Sequence, residues 1–101
     1  MTQPGPALAE MATTLREVSW WVAQPSNDFA WSSWEDVTEA LAEMEAILIP
    51  IEAGQLPDDI RLLLRVLFAP TGPLQELSLS SGWASQFLAL ADRVDRLLGD
   101  G

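Results

Sequence analysis

The sequence predicts an all-α fold, a compact bundle of four or five helices around a central apolar helix at about 58–68. Three observations lead there. Apolar residues recur at spacings of three and four in several segments, and no segment alternates apolar and polar residues with the period of a strand. Proline and glycine fall between those segments, where helices stop. The 101 residues, 49% of them hydrophobic, suit one domain burying about 60 to 65% of its unfolded surface, so 1–101 is read as a single helical domain with 1–6 as a frayed lead-in.

The first helix is expected over 7–23, because Leu8, Met11, Leu15, Val18 and Val22 share one face and Pro25 closes the segment. The next stretch, 25–33, is rich in turn residues but carries Phe29 and Trp31, which suggests a loop packed by its own aromatics. Ser32 with Glu35, or Ser33 with Asp36, makes a capping-box pattern ahead of a second helix with Trp34, Val37, Leu41, Met44, Leu48 and Ile51 as its apolar stripe. Pro50 should bend that helix or end it near Ile49, with Gly54 as the stop.

The third helix is the one the bundle is expected to surround. Seven of the nine residues from Ile60 to Phe68 are apolar, leaving only a slot filled by Arg61 and Arg65. Pro57, Asp58 and Asp59 mark its start and Pro70 its end. Buried arginines need partners, so Arg61 and Arg65 are expected to pair with carboxylates of neighbouring helices. A corner at 69–73 leads to a short helix from Pro73 to about Leu79, and Ser80, Ser81 and Gly82 separate it from a last helix in which Trp83, Phe87, Leu90, Val94 and Leu97 recur before Gly99.

Composition narrows the chemistry. The chain has no Cys, His, Lys or Tyr, so thiolate and imidazole ligands, the commonest general base and the Schiff-base amine are all missing, and an enzyme is not expected. Its net charge of −10 repels nucleic acid and anionic membranes and attracts basic protein partners. The N-terminus has no basic region followed by an apolar run, and the uncharged apolar stretch 46–51 is too short to span a bilayer, so a cytoplasmic protein is expected.

Two groups of residues stand out as candidate partner-binding positions. Glu35, Asp36, Glu39 and Glu43 fall within an arc of about 100° opposite the apolar stripe of the second helix. Such carboxylates suit arginines and lysines of a partner or a hard cation, although an amphipathic helix needs a solvated polar face in any case. Without histidine no carboxylate metal centre of the di-iron kind is available, and no cofactor or metal is assigned. Trp20, Trp21 and Trp31, three of five tryptophans, lie outside the apolar stripes and form the second group, whereas Trp34 and Trp83 sit within stripes and read as core. The Pro-Thr-Gly-Pro corner at 70–73 lacks the longer glycine loop and lysine of a phosphate-binding turn and reads as structural.

The segment L-F-A-P-T-G-P-L-Q-E-L-S at 67–78, followed by G-W-x-x-x-F-L-x-L-A-D at 82–92, resembles a family of small bacterial helical domains of unknown function. That resemblance implies a helical fold and a bacterial source and carries over no site residue. In size and acidity the chain is also similar to immunity proteins of bacterial toxin systems. The reading is thus a non-enzymatic, acidic protein-binding module, most concretely an immunity-like protein neutralising a basic toxin or nuclease. Two other classes stay open: a carboxylate-dependent metal-binding regulator or enzyme, and a homo-oligomeric structural domain.

Overall fold

Five helices run in order, α1 (Pro6–Val22), α2 (Val37–Glu52), α3 (Asp58–Leu67), α4 (Pro73–Ser81) and α5 (Ala84–Leu98). The computed structural model of the chain describes residues 6–25, 27, 34–69 and 72–99, and no strand occurs among them. The lead-in at 1–5, Phe29, Trp31, the Ser32 and Ser33 half of the capping boxes, and Pro70 with Thr71 lie outside the described residues.

The all-α bundle is as expected, but its centre is not. α1 packs against both α2 and α5, while α3 and α4 pack on α5. The core joins Leu15, Val18 and Val22 of α1, Met44, Ile47, Leu48 and Ile51 of α2, and Phe87, Leu90, Val94 and Leu98 of α5, with Ile60, Leu64 and Leu67 of α3 and Leu74 and Leu77 of α4 added to the same cluster. The expected central helix, α3, is peripheral. It buries Ile60, Leu64 and Leu67 but leaves Leu62 64%, Leu63 40% and Val66 53% exposed. With only ten residues it lies on the bundle by one face, whereas the 17-residue α1 is long enough to serve as the shared packing surface. Apolar content shows what a helix is able to bury, and neighbours decide what it does bury.

Local chemistry sets the helix ends. Asp36, rather than a serine, caps α2, its carboxylate accepting from the Glu39 amide at 3.0 Å, so that the helix begins at Val37 and Trp34 is buried just before it. Pro50 is accommodated in the last turn of α2, which continues to Glu52. There the Gly54 amide donates to the Ile51 carbonyl and the Gln55 amide to the Pro50 carbonyl, with Gly54 at φ 86°, the paired bonds of a glycine C-cap. Between α3 and α4 a Cβ at position 72 would collide with the Val66 carbonyl oxygen, so the corner there requires glycine.

The arginines differ from expectation. Arg61 donates from Nη1 to the Leu98 carbonyl at 2.8 Å, which puts its charge at the negative end of α5. Arg65 is exposed and makes no ion pair among the described residues. Arg93 lies 3.6 Å from Glu17 and joins α5 to α1, and Arg16 joins α1 to α2 through Glu52. That hydrogen bond from Arg16 to Glu52 holds the guanidinium above its ordinary pKa.

Candidate functional site

The end of the bundle where α1 finishes and α2 starts brings together most of the residues singled out in the sequence. Trp20 and Trp21 occupy consecutive positions in the last turns of α1, about 100° apart on the helix, so they cannot share a face. Trp21 turns inward and is half-buried, its ring stacked on Trp83 at 5.6 Å with an interplanar angle of 13°. Trp20 turns outward, meets the edge of Trp21 at 5.0 Å and 87°, and remains 57% exposed. A T-shaped contact of this kind suits the quadrupoles of the two rings and limits how far Trp20 can swing.

Asn27 fixes the cluster. Its Nδ2 donates to the carbonyls of Trp21 and Val22, both at 2.7 Å, and its Oδ1 accepts from Nε1 of Trp83 at 2.8 Å. One side chain thus satisfies two C-terminal carbonyls of α1 and the indole of a buried tryptophan on the approach to α5. Gln24 adds a bond from Nε2 to the Trp20 carbonyl at 2.7 Å.

Beside this cluster lies a hollow of about 310 Å³ lined by Ala23, Gln24, Pro25, Asn27, Glu35, Asp36 and Val37. Two helix ends of opposite sign meet there, the negative C-terminal end of α1 and the positive N-terminal end of α2; Asp36 caps the latter, and the exposed Glu35 adds a second carboxylate open to a cation. Asp36 serves the fold as well, since it caps α2.

The other two acidic candidates run down α2 away from the hollow. Glu39 is exposed, and Glu43 is half-buried with its Oε2 accepting from Nε1 of Trp34 at 2.5 Å, which ties it to the packing of a core tryptophan. Of the four, Glu35 and Asp36 line the hollow and Glu39 and Glu43 do not. Trp31 lies outside the described residues. Asn27 was not singled out in the sequence: it lies five residues beyond Val22, outside the position where a helix-ending asparagine is expected, and reaches the carbonyls of Trp21 and Val22 with its side chain. Trp83 was read as core, which it is at 3% exposure, without its role as the platform under Trp21.

Among the described residues no three His, Cys, Asp or Glu side chains are grouped to hold a metal ion, and no helix is long and apolar enough to cross a membrane. A second hollow, of about 280 Å³, lies over the stacked rings of Phe68 and Phe87, with Asp92 and Asp95 along it. Asp92 is already paired with Arg96 at 3.3 Å. No family model matches the chain, and no curated protein or solved structure matches it either.

Proposed function

We propose that this domain is a non-enzymatic, acidic protein-binding module whose partner presents a basic surface, in the manner of an immunity-like protein that neutralises a toxin or nuclease. The supporting observation is Trp20: a large aromatic, braced by Trp21 and left 57% exposed, whose carbonyl is bonded by Gln24, a residue that lines the hollow together with Glu35 and Asp36. Interface anchors are commonly tryptophans whose rings enter a pocket of the partner, and surrounding charges select partners and speed encounter more than they add affinity. A net charge of −10 supplies the long-range attraction for a basic surface.

In this reading Trp20 enters the partner, and an arginine or lysine of the partner reaches the hollow at Glu35 and Asp36. The test is capture of the partner from the native host, its identification, and titration of purified partner with wild-type and Trp20→Ala protein. A partner with a basic contact surface, bound more weakly by the variant, supports the proposal. A captured partner that is acidic, or that binds both proteins equally, contradicts it.

A further inference from the structure

A different face of the molecule, the outer side of α3, has features of a contact between two copies of this chain. Leu62, Leu63 and Val66 fall within an arc of about 100° on that helix and are all exposed, on the side away from Ile60, Leu64 and Leu67. This helix thus has two apolar faces, and the fold covers one of them.

The charge pattern around the uncovered face says what covers it. On a molecule of net charge −10, α3 is locally neutral, its Asp58 and Asp59 balanced by Arg61 and Arg65, whereas α2 carries Glu39, Glu43, Glu45 and Glu52 with no basic residue. A partner drawn by basic charge would be directed to α2 and the acidic end of the bundle rather than here. The charges of α3 are also separated along the helix. Asp58 and Asp59 stand in the first turn and Arg65 in the last, and none of the three has an ion-pair partner among the described residues. Asp59 and Arg65 are six residues apart, about 9 Å along the axis, with Leu62 midway.

We propose that this face is a self-complementary, twofold interface in which α3 of one copy lies antiparallel to α3 of another. An axis passing near Leu62 and Leu63 sets leucine against leucine and brings the aspartates of each copy beside Arg65 of the other. It also sets opposite ends of the two helix dipoles side by side. The same patch on both subunits is what a twofold dimer requires, and antiparallel order is the one that pairs these charges rather than opposing like with like. Three apolar side chains per copy make a small contact, so the dimer is weak and exchanges freely with monomer.

Sedimentation equilibrium of the full chain at concentrations up to about 1 mM tests the interface. The expected result is a reversible monomer–dimer equilibrium. Leu62→Glu should raise the dissociation constant at least about tenfold while leaving thermal unfolding unchanged, because Leu62 is exposed within the monomer. Asp59→Arg and Arg65→Glu should each weaken the dimer, and the double variant carrying both should recover it. Trp20→Ala, at the other site, should leave the dimer as it is. A chain that stays monomeric throughout overturns the proposal, as does a dimer indifferent to Leu62→Glu. Failure of the double charge exchange to recover a dimer that both single variants weaken overturns the antiparallel arrangement.

Discussion

The amide oxygen of Asn27 accepts a hydrogen bond from the indole nitrogen of Trp83 at 2.8 Å, across 56 positions of sequence. The same side chain holds the last carbonyls of α1, so it couples the end of one helix to the residue that opens another. Removing it would leave the nitrogen of a tryptophan that is 3% exposed without this acceptor. Asn27→Ala is expected to destabilise the domain by about 1 to 3 kcal/mol in denaturant unfolding. An unchanged unfolding midpoint would mean that the aromatic cluster is held by stacking alone.

The two faces of α3 should respond oppositely to truncation. Leu64 is fully buried, and Leu64→Ala should cost about 2 to 5 kcal/mol. Leu62→Ala, on the exposed face, should stay within about 0.5 kcal/mol at concentrations where the chain is monomeric. Equal losses at the two positions would show that α3 is enclosed after all.

Asp36 has two roles that substitution separates. Asp36→Ala removes the cap of α2 and should cost about 1 kcal/mol. Asp36→Asn keeps an oxygen for the Glu39 amide and should retain most of that stability while removing one charge from the hollow. Thermal unfolding measures the first effect, and titration with a basic partner the second. A loss of stability in Asp36→Asn as large as in Asp36→Ala would argue against the capping role.

Magnesium or calcium should leave the unfolding temperature unchanged, since Asp36 and Glu43 are engaged in hydrogen bonds within the fold. A specific site filled at a hundred times its dissociation constant would add about 2.7 kcal/mol. A saturable rise of that order, abolished by Glu39→Gln, would revive the metal-binding class.

Much of the fold was legible because its rules are local. The stripes of Leu15, Val18 and Val22, of Met44, Leu48 and Ile51, and of Phe87, Leu90 and Val94 are buried as their spacing predicts, and Gly54 ends α2 by its positive φ. The place of α3 was not legible, because Leu62, Leu63 and Val66 look the same in sequence whether or not another helix lies over them. The candidate site was half legible. Trp20 stood out by its position off the α1 stripe, but its link through Trp21 to Trp83 and Asn27 depends on long-range packing that no spacing encodes. Glu43 was grouped with the other acids by helix angle, and only the fold shows it committed to Trp34.

The central claim, that Trp20 is an anchor for a partner rather than part of the core, is tested most directly by measuring stability and partner affinity together in Trp20→Ala. With the ring 57% exposed and held mainly by its edge contact to Trp21, folding should weaken by about 1 kcal/mol or less. Affinity for the purified partner should fall roughly thirtyfold, the equivalent of losing about 2 kcal/mol. A large loss of stability, or an affinity equal to wild type, would contradict the account.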